Sequence, residues 1–261
     1  MKKSRVAILY ICTGKYVVYW KNFFKSAEKY LLPGIEKHYF VFTDADKIYA
    51  DKREDIHRIF QELLPFPKGS LMRFDMFLKI ESTLAKFDYM FFFNSNIIFV
   101  NNILETELFP SSEENGLVGY LHSMFYNKKP EEYIYERNKL STAFVPVGVG
   151  KRYYQGCLIG GVSEDFLEMC RVLDKNIKAD LRNDFIAIWW DESHLNHYFL
   201  DKEVKLLHPG FCYPELLNLP FEKKAIMLNK TKMGLDYLRG LDNSLKGRVR
   251  FFLKRLINNK N

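Results

Sequence analysis

A chain of 261 residues, 48% hydrophobic and 16% aromatic, is long enough to bury one large core and too apolar to be disordered. Its net charge of +7 and pI near 9.0 favour nucleotide phosphates, other polyanions or an anionic membrane. The surplus is concentrated in the last twenty residues, which excludes the basic aromatic face of a nucleic-acid-binding protein.

No apolar run approaches the roughly 18 residues of a membrane span. Four scattered cysteines (Cys12, Cys157, Cys170, Cys212) lack C-x-x-C spacing, so reduced thiols in a cytoplasmic protein are expected and a zinc site is not. Residues 6–11 are apolar throughout and read as a central parallel strand. The basic start ahead of them faintly imitates a secretion signal, but the apolar run is too short and no small-residue cleavage site follows. After the loop Cys12-Thr13-Gly14-Lys15, residues 16–30 form an amphipathic helix ended by Pro33-Gly34. Residues 38–43 form a second strand, closed by Asp44-Ala45-Asp46. Strand, helix, strand with polar strand ends begins a nucleotide-binding α/β sheet, yet neither G-x-G-x-x-G nor a P-loop is present.

A short strand around His57-Arg58-Ile59-Phe60 is broken by Pro65 and Pro67. Ser70 predicts an N-cap for a helix over 71–86, with Leu71, Phe74, Phe77, Leu78 and Leu84 on one face. Arg73 lies in its first turn, where a cation gains nothing from the helix dipole. It is either a solvated surface residue or is aimed at the end of the next strand. That strand belongs to residues 90–100, two runs rich in Phe and Ile around the polar break Asn94-Ser95-Asn96. The break is a tight turn on one reading. On the other it is a polar site at the carboxyl end of a sheet strand, where open α/β folds bind ligands.

Residues 116–121 predict a strand ending at His122, followed by an aromatic loop through Tyr135-Glu136-Arg137 suited to carbohydrate or peptide contact. Gln155-Gly156-Cys157 and Gly160-Gly161 permit close approach of backbone to a ligand or a neighbouring strand. Ser163 caps a helix over 163–182. Trp189-Trp190-Asp191-Glu192 sets carboxylates beside large apolar walls, which raises a carboxyl pKa; Asp191 read alone is equally a helix cap. His194 and His197 lack a carboxylate in register and read as helix-surface residues rather than metal ligands. Residues 206–213 form a late strand or loop and 225–228 the last strand, leading to Lys230, Lys232 and Arg239. From Asn243 onward there are six Lys or Arg and no Asp or Glu, with Leu245, Val249, Phe252 and Leu256 on one helical face. This is either a basic amphipathic helix for peripheral contact with anionic membrane or a helix packed on the body.

Six of these stretches, in order, resemble glycosyltransferase family 6, which includes the blood-group A and B transferases and the α-1,3-galactosyltransferase. They are 10–16, 39–44, 91–96, 135–137, 153–161 and 189–196, with residues 5–240 covered and 241–261 outside. The likeness is closest to the short bacterial members. It implies an α/β GT-A fold, a Rossmann-like mixed sheet flanked by helices, as a single catalytic domain over 1–240. It also implies retaining transfer of galactose or N-acetylgalactosamine from a UDP-sugar to the 3-hydroxyl of a galactoside, often one carrying α-1,2-fucose. Carried over residue by residue, Ile11, Cys12, Thr13 and Tyr16 would hold the uridine. Arg73 would face the donor sugar and the Asn94-Ser95-Asn96 turn, with Asp191 also on the donor side. Gln155, Gly156 and Cys157 match the positions that choose between a 2-hydroxyl and a 2-acetamido group. His122 and Trp189 match acceptor-binding residues, and Glu192 the catalytic Glu, which also meets the acceptor.

Two departures from the family pattern carry consequences. Asn94-Ser95-Asn96 replaces the Asp-x-Asp that holds Mn²⁺ in the animal enzymes. Neutral amides are weak ligands without countercharge, so no cofactor and metal-independent transfer are expected. Charge on the departing diphosphate must then meet side-chain cations, with Lys230, Lys232 and Arg239 as candidates. Trp190 stands where the family has His. Cys157 is bulkier than the Gly or Ala of relatives and predicts UDP-galactose over UDP-N-acetylgalactosamine by sterics. A non-catalytic UDP- or sugar-binding protein is the competing reading. The expected setting is the inner face of the cytoplasmic membrane, on galactoside or glycolipid acceptors, with no nucleic-acid partner.

Overall fold

The computed structural model describes residues 4–111 and 113–239. The expected helix over 241–261 lies outside them. A seven-stranded mixed sheet has the order β3-β2-β1-β4-β7-β6-β8. Its strands are β1 (Arg5–Ile11), β2 (Glu36–Thr43), β3 (Ile56–Phe60), β4 (Tyr89–Phe93), β6 (Leu117–Leu121), β7 (Tyr154–Val162) and β8 (Lys205–Leu207). A smaller sheet, β5-β10-β9, joins Ile97–Phe99, Ala225–Met227 and Tyr213–Pro214. The helices in chain order are α1 (Trp20–Tyr30), α2 (Lys68–Leu71), α3 (Arg73–Leu78), α4 (Glu81–Leu84), α5 (Glu105–Leu108), α6 (Ser163–Arg182), α7 (Asp191–Tyr198) and α8 (Leu235–Leu238).

The topology decides where the site falls. β1, β2, β3 and β4 run parallel, so their carboxyl ends share one edge. β7 runs antiparallel to β4, with Phe93 opposite Leu158, and brings its first residues to that same edge. β6 is antiparallel to β7, with Leu121 opposite Tyr154, which puts His122 there too. Ligand-binding edges of open α/β sheets form this way.

Residues 6–11 of β1 are central because every side chain has an apolar neighbour on either face: Ile8 and Tyr10 enter the α1 layer, Ala7 and Leu9 the α3–α6 layer. The Gly160-Gly161 pair serves strand contact. A Cβ at Gly160 would stand 2.5 Å from the Met90 carbonyl oxygen, and Gly161 adopts φ 150° against Gly116. This is the single-domain α/β, GT-A-like arrangement that the resemblance implies. None of the helices among the described residues is long and apolar enough to cross a membrane.

Several local expectations are corrected. The helix over 16–30 opens as a 3₁₀ turn, Gly14–Tyr19, before α1. The helix over 71–86 is three separate turns, α2 to α4, because Met72 and Ile80 depart from helical dihedrals. Ser70 caps nothing with its side chain; it lies within α2, and its carbonyl accepts from Arg73 Nε at 3.3 Å. Ser163 begins α6 but makes no cap bond. Residues 206–213 split between β8, a 3₁₀ turn and β9.

Candidate active site

β1 ends at Ile11, and the chain turns at Thr13-Gly14, where the Gly14 N–H donates to Asp44 Oδ1 at 2.6 Å. Ile11, Thr13 and Tyr16 form one wall of an open cleft of about 670 Å³. Leu63, Leu64, Phe66, Gly69, Ser70 and Arg73 form the opposite wall, Phe92, Asn94 and Ser95 the floor, and Lys230 and Arg239 the rim. Leu63 and Phe66 carry no sequence signal, because they sit in a Pro-broken loop with no periodicity, and Gly69 lies in the short turn α2 that follows.

The Asn94-Ser95-Asn96 break is both a turn and a floor. Ile97 N–H donates to the Asn94 carbonyl at 3.2 Å, and Asn94 N–H to the Cys157 carbonyl at 2.9 Å. Tyr10 donates its hydroxyl to the Ser95 carbonyl at 2.7 Å. Asn96 is buried and sends its Nδ2 to the Leu228 carbonyl at 2.6 Å, which ties the turn to the C-terminal segment. Its Oδ1 has no partner among the described residues.

Arg73 is not a surface cation. It is 7% exposed, donates to the Gly156 carbonyl, and pairs with Asp191 Oδ2 at 3.1 Å. Its guanidinium lies 4.6 Å over the Phe92 ring. Burial raises the Asp191 carboxyl and Arg73 opposes the rise. Asp191 is the first residue of α7 rather than its cap; the cap position is Trp190, at φ 54°, a costly conformation for a bulky residue. Trp190 sets its ring edge-on to Phe66 at 4.6 Å, linking the carboxylate helix to the cleft wall.

Glu192 follows on α7, and its Oε2 accepts the Gly156 N–H at 3.0 Å. Gly156 thus offers its carbonyl to Arg73 and its amide to Glu192, and a Cβ there would come within 3.2 Å of Asp191. Burial, reinforced by the neighbouring Asp191 carboxylate, pushes Glu192 up to about 8. Lys230 is lowered to about 8, first by burial and then by Arg239 and Arg73. Among the described residues the cleft lining holds three cations and no carboxylate.

Other expected residues sit elsewhere. Lys232 points away from the cleft and pairs with Glu215. The Cys12 side chain lies in the core, its thiol pushed up to about 12 by burial. Cys157 is 1% exposed, beside Cys212, and neither it nor Gln155 lines the cleft. His122 stays neutral, lowered to about 4 by burial, with Nδ1 accepting from Met124 N–H at 3.1 Å. Trp189 stands half-exposed, edge-on to Trp190. His194 is no surface residue: it is 2% exposed with Nε2 3.6 Å from Asp180 Oδ2.

Two supporting residues were missed. Glu136 is buried and accepts the Asn138 and Ile188 N–H groups at 2.8 Å each, which fixes the loop carrying both tryptophans. Asp180 accepts from Ser141 Oγ and Thr142 N–H, joining the aromatic loop to α6. A carboxylate between tyrosine and arginine was a visible oddity for Glu136; nothing marked Asp180.

The family model of glycosyltransferase family 6 matches residues 1–240. O-antigen biosynthesis glycosyltransferase WbnI of Escherichia coli is 34% identical over 227 residues, covering 87% of this chain and 95% of that protein. Globoside alpha-1,3-N-acetylgalactosaminyltransferase 1 of Gallus gallus is 29% identical, covering 80% of this chain and 62% of its own length. The Homo sapiens protein of that name is 28% identical, covering 90% and 68%. With the model spanning the whole described fold, the chain belongs to glycosyltransferase family 6.

Proposed function

We propose that the protein is a retaining α-1,3-galactosyltransferase that moves galactose from UDP-galactose to the 3-hydroxyl of a galactoside without a metal. The observation that carries this reading is a cleft that among the described residues is lined by the cations Arg73, Lys230 and Arg239 and by no carboxylate, with Glu192 held beside it through Gly156. The C1–O bond to the diphosphate breaks and the β-phosphate oxygen takes up the charge. Lys230 and Arg239 are the cations available to receive it. Glu192, once ionised, either bonds to C1, is displaced by the acceptor oxygen and takes up the acceptor's proton, or stabilises the oxocarbenium-like centre while the acceptor hydroxyl attacks on the same face and passes its proton to the departing phosphate oxygen. Arg73 and Asp191 hold Gly156 and the start of α7 in register for that step. Ile11, Thr13 and Tyr16 take the uridine side, with Cys12 buried behind them. His122 and Trp189 take the acceptor.

Metal independence is supported by the donor set. Asn94, Ser95 and Asn96 offer only neutral amide and hydroxyl oxygens, which supply no countercharge to a divalent ion. Galactose is supported by Cys157, a larger side chain than the resemblance associates with N-acetylgalactosamine. The same residue also favours a second reading, UDP-N-acetylgalactosamine as donor: its thiol is buried beneath the cleft rather than lining it, and two relatives carry that sugar in their names. The E. coli relative's name, an O-antigen biosynthesis glycosyltransferase, supports a glycan acceptor.

Transfer from each UDP-sugar to a 2′-fucosylated galactoside, with EDTA present, tests these readings. Galactose transfer that survives EDTA is expected. Preference for N-acetylgalactosamine selects the second donor, loss of activity in EDTA overturns metal independence, and UDP binding without any transfer leaves a non-catalytic binding protein.

A further inference from the structure

One buried group beside the carboxylate has no task in the mechanism above. Tyr153 is 0% exposed, and its hydroxyl has no well-aligned hydrogen-bond partner among the described residues. An orphaned buried hydroxyl is a net penalty unless a partner is available in another state of the site. The ring cannot swing away to find one. It is walled by Phe125 at 4.9 Å, Tyr135 at 5.4 Å, His122 at 5.6 Å and Tyr133 at 6.0 Å. Its backbone carbonyl is fixed by the His122 N–H at 2.9 Å. The hydroxyl faces the Glu192 carboxyl, without hydrogen-bond geometry in this state. One oxygen of that carboxyl, Oε2, already accepts from Gly156.

We propose that Tyr153 is a positioning residue that donates its phenolic hydrogen to Glu192 when the carboxylate ionises, so that backbone and phenol together hold the charged form in place. The inference rests on the role given to Glu192. The charged and titratable groups around that carboxyl are Asp191 on its own helix, Arg73 from α3 and Tyr153 just ahead of β7, with neutral His122 behind the tyrosine. Asp191 opposes ionisation, and its charge is already engaged by Arg73. Apart from the Gly156 amide, Tyr153 is therefore the donor placed to favour the carboxylate. Its ring also backs His122, so the same residue couples the carboxylate to the acceptor side.

The test is the titration of the Glu192 carboxyl, followed by ¹³C NMR in the full chain with labelled glutamate and assigned by its absence in Glu192→Gln. In Tyr153→Phe the titration should move up by about one pH unit, the loss of one hydrogen bond to a charged group. The acid limb of kcat/KM should move with it, while KM for the acceptor stays within twofold. Unchanged titration in a folded Tyr153→Phe protein overturns the proposal, as does an equal loss of activity at every pH. Should Phe prevent folding, 3,5-difluorotyrosine placed at 153 keeps the ring and donates more strongly, and the titration should then move down; no movement overturns the proposal. The titration is read without sugar transfer. If it moves as expected while Glu192→Gln retains transfer, the contact stands and the catalytic role of Glu192 fails.

Discussion

Two groups in the site titrate near the same pH from opposite directions. On the proposed mechanism Glu192 must lose its proton to act on the sugar, and Lys230 must keep its proton to meet the diphosphate; both are shifted to about 8. The expected kcat/KM profile is a narrow bell centred near pH 8. Lys230→Arg, charged throughout the range, should abolish the alkaline fall, and a persistent alkaline limb in that variant counts against Lys230 as its source. Lys230→Ala should lower kcat by about 10²-fold, the scale for removing one group that stabilises developing charge. Glu192 also carries a stability cost. Its folded pKa lies above the ordinary carboxylate value, so the native state binds the extra proton and stability falls as pH rises from about 4.5 to about 8. Glu192→Gln removes that dependence. It should melt higher than the parent at pH 8.5 while transfer is lost, and equal melting at that pH would show the carboxyl is not strained.

At the scale of elements, β7 is the hinge of the design. Its antiparallel course brings Tyr153 to Cys157 beside the end of β4, and its glycines let β4 and β6 close on it. Gly160→Ala would place a methyl against the Met90 carbonyl and the Phe91 ring. A loss of about 1–3 kcal/mol is expected in urea unfolding, the scale of core overpacking. The same substitution at Gly34, where no atom of the described residues lies within 4 Å of an added Cβ, meets no such clash and isolates the backbone effect of its φ of 82°. The segment 68–84 shows how a helical pattern can be satisfied without a helix. Its apolar residues reach the core from three short turns, and the break at Met72 lets Arg73 head α3 and turn inward. Periodicity reported the buried face there and was blind to the dihedral interruptions.

For the whole molecule, basicity acts in two places that the sequence merged into one number. Arg73, Lys230 and Arg239 gather at the cleft from positions up to 166 residues apart (239 minus 73). The terminal surplus lies beyond the described residues. UDP affinity should fall with added salt, since the open cleft is accessible to screening over a Debye length of about 10 Å at 0.1 M. Removing residues 241–261 should leave UDP affinity unchanged and reduce binding to anionic vesicles. Unchanged vesicle binding would locate any membrane contact elsewhere.

By itself the sequence determined the α/β class, most of the strands though not β7, and the family, because apolar runs with polar ends and six ordered stretches are local features of the chain. It marked Asn94-Ser95-Asn96, Arg73 and Asp191-Glu192 as chemically odd for the same reason: polar groups beside apolar runs must find partners. Tertiary structure alone decided which partners. Arg73 and Gly156 are 83 residues apart and meet only because β7 reverses beside β4. His194 looked like a surface residue until α6 supplied Asp180, Lys232 turned to Glu215, and Cys157 sank into the core beside Cys212. Which face a side chain takes on a strand flips with one residue of register, and register is set by neighbouring strands that the local sequence does not contain.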